Sequence, residues 1–147
     1  MNLIERYSLG CGGARIGKPY IAEKYLPMTI DKYITLHTTS KPAKTYDYFQ
    51  EVADLISPLL QKKGIGIVQI GAEKEVLING CYNTVGQTSM AQVAYVVNKG
   101  LLHVGVDSFP AHFAGAYNKP MVILFSNNYI QNVCPYWGDK SKQIFLE

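Results

Sequence analysis

Residues 106–112 have the composition of an anion-binding site. They read Val-Asp-Ser-Phe-Pro-Ala-His, an apolar strand end followed by an acid, a hydroxyl and a proline. Proline is favoured in the first turn of a helix, because its missing N–H would have no partner there. The free N–H groups of Ser108, Phe109 and Ala111 at such a helix start favour a phosphate. The same pattern fits Ser108 as a simple helix cap.

Two further side chains of this segment have several possible roles. Asp107 would repel a phosphate, so we expect it to fix the loop or to meet a hydroxyl group. His112 follows Ser108 by four residues, and it either faces a ligand or is a buried, hydrogen-bonded histidine.

Two other loops carry polar chemistry. Residues 38–45 contain several hydroxyls, Thr38 among them, and Lys44 is a natural point-charge partner for a diphosphate. Alternatively, this is a solvated loop whose lysines point outward. Residues 71–75 contain two carboxylates, at a place where doubly wound sheets often hold a ribose hydroxyl, although the loose spacing is more typical of an exposed charged turn. His37 ends a predicted strand and could enter the same site.

A parallel sheet is needed to bring these loops together. Apolar and β-branched runs predict strands at 33–37, 65–70, 84–85, 101–106, 121–125 and 143–146. Helical spacing predicts helices at 46–62, 90–99 and 108–117, with Ser89 and Gln92 forming a capping box and Pro58 kinking or ending the first helix. The alternation predicts an α/β fold, a single Rossmann-like, doubly wound, mostly parallel sheet.

In the commonest strand order, the ligand lies beyond the first and fourth strands, where the order reverses. Here those strands are followed by 38–45 and 107–112, so we expect these two loops to be adjacent. Residues 1–31 are broken by glycines and prolines, and we expect an irregular, extended arm or linker before a domain at 32–147.

The composition excludes several classes. The 147 residues are 48% hydrophobic with a net charge of +3, which argues against disorder and against a dedicated nucleic-acid binder. No apolar run is long enough to span a bilayer. Three scattered cysteines predict reduced thiols in a cytoplasmic setting, with no zinc site and no disulfide framework.

The order of three segments resembles a known family. These segments are Gly-Gln-Thr-Ser at 86–89, Asp-Ser-Phe-Pro-Ala-His-Phe-Ala at 107–114 and the Lys-Pro strand entry at 119–125. Together they resemble the carboxyl-terminal half of the ADP-heptose:lipopolysaccharide heptosyltransferases, and the similarity covers about residues 32–138. Those enzymes have the glycosyltransferase-B fold, two Rossmann-like domains that face each other across a cleft.

The resemblance implies that this half binds a nucleotide-diphosphate sugar as its donor substrate. We expect no metal, because the sequence has no acidic pair suited to a divalent ion, and no further cofactor. It implies that the backbone at Ser108 and Phe109 faces the diphosphate, that Lys44 contacts a phosphate and that Glu75 or Glu73 holds the ribose. The implied donor-site residues are Thr38, Lys44, Glu75, Thr88, Asp107, Ser108, Phe109 and His112.

This sequence departs from the family pattern at several points. The motif's glycine is Phe109 here, and residues 126–128 read Ser-Asn-Asn in place of Gly-x-Thr. In the family, the other half holds the acceptor and the general base, and the first 31 residues are too few to supply it. We therefore expect an acceptor-domain protein or a homo-oligomer as partner, unless the sequence is a piece of a longer protein. The alternatives are a non-catalytic, glycosyltransferase-like module with a phosphate site blocked by Phe109, and an unrelated nucleotide-binding domain.

Overall fold

A six-stranded, wholly parallel sheet forms the centre of the computed structural model, which describes residues 1–147. Its strands are β1 (Tyr33–His37), β2 (Gly66–Ile70), β3 (Tyr82–Asn83), β4 (His103–Val106), β5 (Met121–Leu124) and β6 (Gln143–Leu146). The strand order is β3-β2-β1-β4-β5-β6. This confirms the predicted Rossmann-like α/β fold. The third strand lies two residues earlier than predicted, because its position is set by pairing with Val68 and Gln69 of β2.

Five α-helices surround the sheet: α1 (Leu3–Gly10), α2 (Phe49–Gln61), α3 (Met90–Lys99), α4 (Phe109–Ala116) and α5 (Ile130–Val133). Short 3-10 turns lie at Pro42–Lys44 and Lys140–Lys142. The predicted bounds of α3 are confirmed, and the capping box of Ser89 and Gln92 is present. α2 begins at Phe49, three residues later than predicted, and it continues past Pro58 to Gln61.

The two faces of the sheet have separate apolar cores. One core joins Tyr33, Ile70 and Ile123 to α3 and α4, and the other joins Leu36 and Ile67 to α2. Both faces are covered, so all five positions of β1 are buried, as is typical of a parallel sheet in an α/β protein. The buried strands hold the loops at their carboxyl ends in fixed positions.

The amino-terminal arm begins with a helix, which corrects the expectation that residues 1–31 are irregular throughout. The side chains of Asn2 and Glu5 form a capping box at the start of α1, and such local chemistry stabilises a helix that buries no side chain. Asn2 also donates a hydrogen bond to the carbonyl of Cys134 at 3.0 Å. Further along, the arm is extended, and Leu26, Met28 and Ile30 pack against the core that contains α3.

The strand order reverses between β1 and β4, which are direct neighbours. The chain leaves β1 toward β2 on one side and leaves β4 toward β5 on the other. The loops after β1 and β4 therefore meet at the carboxyl edge, as the sequence predicts.

Candidate functional site

The two loops at the switch point are joined by an ion pair. The Lys44 ammonium donates a hydrogen bond to the Asp107 carboxylate, and it lies 3.5 Å from the carbonyl oxygen of the same residue. Nδ2 of Asn128 donates to the same Asp107 oxygen at 3.2 Å. We call Lys44, Asp107 and Asn128 the ion-pair cluster. Asp107 therefore fixes the loop, in line with one of its two predicted roles.

A backbone anchor positions Lys44. The carbonyl of Ala43 accepts hydrogen bonds from Oγ of Ser126 at 2.8 Å and from Nδ2 of Asn127 at 3.2 Å. This anchor holds the 3-10 turn that carries Lys44. In the sequence, residues 126–128 stand out only as a departure from a motif. Their position after β5, which neighbours β4, was the signal that they reach the same edge.

The start of α4 leaves two backbone donors open. The N–H groups of Ser108 and Phe109 donate no hydrogen bond within the chain, whereas that of Ala111 donates to the carbonyl of Ser108 at 3.1 Å. Ser108 occupies the N-cap position, yet its side chain makes no capping hydrogen bond. Of the three N–H groups expected to be free, two are therefore available to a ligand.

Phe109 occupies the place of the family's glycine without backbone strain. The non-glycine residues with positive φ are Lys74 and Asn118, so Phe109 starts α4 with a negative φ. Its ring centroid lies 6.1 Å from that of His37 and 5.6 Å from that of Phe113. The conformation at this position therefore does not require glycine, and the ring is accommodated between aromatic neighbours.

His112 projects from the first turn of α4 and retains solvent exposure. Desolvation of the ring lowers its pKa from the ordinary value, and the negative charge of Asp107 partly opposes this shift, while Lys44 adds to it. The imidazole is therefore neutral near pH 7 and lies close enough to the ion-pair cluster to sense its charges.

A cleft of about 190 Å³ adjoins the start of α4, and we call it the His37 cleft. Most of its wall is apolar, and its polar side chains are those of His37 and Thr88. The lining residues are His37, Ile70, Gly71, Ala72, Thr88, Met90, Val93, Phe109 and Pro110.

The cleft and its wall hold buried polar atoms without partners. His37 is 3% exposed, and its Nε2 lies 3.8 Å from Oε1 of Glu75. Nδ1 of His37, Oε2 of Glu75 and Oγ1 of Thr88 are buried and make no hydrogen bond. Buried polar atoms are almost always paired in native proteins, so three such atoms in one place call for an explanation.

Glu75 lies behind the cleft and does not line it. Its Oε1 accepts a hydrogen bond from the N–H of Ala72 at 2.8 Å, which folds the carboxylate over the end of β2. A Cβ atom at Gly71 would approach Oε2 of Glu75 to 2.4 Å, so glycine provides the space for this arrangement. The predicted carboxylate therefore lies beside the site, where its Oε1 is 3.8 Å from Nε2 of His37.

Other predicted residues lie apart from the cleft. Thr38 is buried, and it lines a separate depression of about 130 Å³ together with Thr39, Thr45 and Tyr46. Glu73 is exposed. His103 is buried within the sheet, where its Nδ1 lies 2.8 Å from Oγ1 of Thr35, and burial lowers its pKa to about 3. His103 is a core residue, as predicted.

The described residues contain no group of three or more His, Cys, Asp or Glu side chains placed to hold a metal ion. None of the helices combines the length and apolar character required to cross a bilayer.

The chemical groups of the site are one ammonium group, which is paired with Asp107, two open N–H groups and an adjoining apolar cleft with buried polar atoms. This arrangement suits an elongated ligand with an anionic part and a flat apolar part.

A family comparison matches most of the chain. Residues 18–146 match the sequence model of glycosyltransferase family 9, described as heptosyltransferase. No curated protein matches the chain in sequence.

Several solved structures share the fold. A glycosyl transferase family 9 protein from Veillonella parvula DSM 2008 has 22% identity and a TM-score of 0.65, over 80% of this chain and 36% of its own. E. coli ADP-heptose lps heptosyltransferase II has 21% identity and a TM-score of 0.65, over 81% and 39%. E. coli heptosyltransferase WaaC, determined with ADP, has 20% identity and a TM-score of 0.62, over 95% and 48%. The chain thus spans less than half the length of each of these proteins.

Proposed function

The chain belongs to glycosyltransferase family 9, and from this membership we propose that it binds the nucleotide-diphosphate part of a sugar donor at the switch point between β1 and β4. In this proposal the diphosphate lies at the start of α4, beside Lys44, and the nucleoside enters the His37 cleft. Of the residues expected from the sequence, those at or beside the start of α4 are Lys44, Asp107, Ser108, Phe109 and His112. Thr88 lines the cleft wall and Glu75 lies behind it, whereas Thr38 lies apart in a separate depression.

The observation that carries the proposal is the pair of open N–H groups at Ser108 and Phe109 next to the Lys44 ammonium. Backbone donors at a helix start and a nearby cation are the usual elements of a phosphate site. In the free protein, Asp107 occupies the ammonium group. A phosphate oxygen offers the same kind of partner, so Lys44 can exchange one anion for the other.

The His37 cleft supports a nucleoside as the second part of the ligand. Its wall of Ile70, Met90, Val93 and Phe109 suits the flat face of a base. WaaC was determined with ADP, which makes ADP the first nucleotide to test on this chain.

Glycosyl transfer also needs an acceptor and a general base. We propose that both come from an acceptor domain, and that this chain holds the donor and stabilises the leaving diphosphate through Lys44 and the N–H groups of α4. Cleft closure would then bring the base to the donor.

The test is isothermal titration with ADP, UDP and GDP, with sulfate as an anion control. We expect one nucleotide to bind selectively, and Lys44→Ala to weaken it about 10- to 100-fold, the range for a charge-assisted hydrogen bond to phosphate. Lys44→Gln is a second variant, in which the charge is removed but an amide remains that can donate a hydrogen bond to Asp107. Lys41→Ala is the matched control, because Lys41 is an exposed lysine of the same loop.

Equal losses of nucleotide affinity in the Lys41 and Lys44 variants would show that the binding comes from general surface charge. Absence of binding by any nucleotide at millimolar concentration would refute the donor site. The non-catalytic module would then be the better description of the chain.

A further inference from the structure

We propose that His37 is the residue that recognises the ribose hydroxyls of the bound nucleotide, and that Glu75 is a positioning residue that acts through it. This inference rests on the proposed function, since it concerns the same site. It assigns a ligand contact to a histidine that the sequence comparison left without a role.

The environment of His37 is the first argument. The ring is almost completely buried at the end of β1, yet it lines the cleft. One ring nitrogen, Nε2, faces the Glu75 carboxylate, and the other, Nδ1, has no partner. A carboxylate beside one nitrogen favours the tautomer with its proton there. The other nitrogen is then an acceptor, which a hydroxyl donor of a ligand satisfies.

The location of His37 relative to the phosphate site is the second argument. Phe109 supplies one of the open N–H groups, and its ring lies against that of His37, with 6.1 Å between the centroids. A nucleotide with its diphosphate at the start of α4 therefore brings the sugar next to the phosphate within reach of His37. The apolar wall beyond it suits the base and not a second sugar, so we assign the hydroxyls to the ribose.

Two glycines hold this arrangement in place. A Cβ atom at Gly105 would lie 2.7 Å from the carbonyl oxygen of His37, and one at Gly71 would lie 2.4 Å from the Glu75 carboxylate. The neighbouring strand β4 therefore approaches His37 more closely than a side chain at Gly105 would allow, and a side chain at Gly71 would displace the flexible end of Glu75. The unpartnered oxygen of Thr88 belongs to the wall of the cleft, and that of Glu75 lies behind it.

The experiment compares ADP with 2′,3′-dideoxy-ADP, which lacks both ribose hydroxyls, by titration on the whole chain. We expect the unmodified protein to prefer ADP by about tenfold, the value of one or two hydrogen bonds to a buried acceptor. In His37→Leu this preference should disappear, so that ADP and dideoxy-ADP bind with equal affinity. His37→Gln, which restores a polar atom, should recover part of it, and it provides a second variant if the leucine protein folds poorly.

Glu75 is tested by non-additivity. Glu75→Ala should reduce the preference for ADP in the unmodified protein and have no further effect in His37→Leu, because both changes remove the same contact. His103→Gln is the matched control, since His103 is a buried histidine on the same sheet that does not line the cleft. It should change stability without changing the preference.

The outcomes separate the two proposals. An unmodified protein that binds neither nucleotide refutes the donor site, and the role of His37 with it. Nucleotide binding without a preference for ADP, or a preference that survives in His37→Leu, overturns the role of His37 and leaves the donor site intact.

Discussion

The ion-pair cluster and the His37 cleft lie side by side at the same sheet edge, yet they differ in whether their polar atoms have hydrogen-bond partners. In the cluster, Lys44, Asp107 and Asn128 bond to one another. In and directly behind the cleft, atoms of His37, Glu75 and Thr88 are buried without partners.

Solvent access explains this difference. The Lys44 side chain is 23% exposed, so its charge can be hydrated or can change partner at modest cost. The His37 side chain is 4% exposed, and an unpaired polar atom there carries a desolvation cost that water does not relieve. We infer that the cluster exchanges partners when a ligand binds, and that the cleft gains partners.

The largest expected effect tests whether the cleft is held by close backbone packing. Gly105→Ala places a Cβ atom 2.7 Å from the carbonyl of His37, and such overpacking should lower the free energy of unfolding by about 3 kcal/mol. Urea denaturation measures this change. Gly17→Ala is the control, because a Cβ atom there meets nothing within 4 Å. Similar losses in both variants would contradict the packing argument.

The next prediction concerns the pH dependence of stability that His103 causes. This histidine is buried and does not line the cleft, in contrast to His37. Burial lowers the pKa of His103 to about 3, so the unfolded chain takes up this proton first as the pH falls. Stability is therefore complete above about pH 6.5 and is lost progressively between pH 6.5 and 3, by about 2 kcal/mol at pH 5.

The measurement is unfolding at pH 7 and pH 5 with His112→Asn as the background, because the lowered pKa of His112 acts in the same direction. Adding His103→Gln should remove most of the remaining pH dependence. An unchanged dependence would assign it to other groups.

A smaller effect is expected when the carboxylate behind the cleft is displaced. Gly71→Ala should push the flexible end of Glu75 away from His37, so it costs little stability. It should lower the preference for ADP over dideoxy-ADP toward unity, a loss of up to about tenfold. Paired titrations measure it, and a full preference in a folded Gly71→Ala protein would show that Glu75 does not position His37.

The smallest effect is expected within the cluster. Asn128→Ala removes a neutral donor to Asp107. It should lower the affinity for ADP about threefold, the value of one ordinary hydrogen bond. Asn128→Asp should weaken it further, because a second carboxylate repels the diphosphate. If alanine at this position costs as much as Lys44→Ala, Asn128 itself contacts the ligand.

Features with local causes could be predicted from the sequence. α3 is bounded by Ser89 and Gly100, whose capping chemistry lies within the segment itself. The apolar runs of β1 and β6 gave their bounds directly. The adjacency of Lys44 and Asp107 followed from the strand order alone.

Features that depend on distant contacts could not be predicted. The position of β3 depends on pairing with β2, and the contact of Glu75 with His37 depends on how the 71–75 loop folds over Gly71. For α1, the capping pair of Asn2 and Glu5 was a local signal, and the glycines and prolines that follow obscured it.

Through the anchor at Ala43, the position of Lys44 depends on residues that are distant from it in the sequence. The atom that accepts from Ser126 and Asn127 is a backbone carbonyl, which every amino acid possesses. Any residue at position 43 therefore supplies this acceptor, whereas the two donors of this chain, more than eighty residues downstream, depend on the side chains at 126 and 127. The side chains that hold the turn of Lys44 in place thus follow β5, whereas Lys44 itself follows β1.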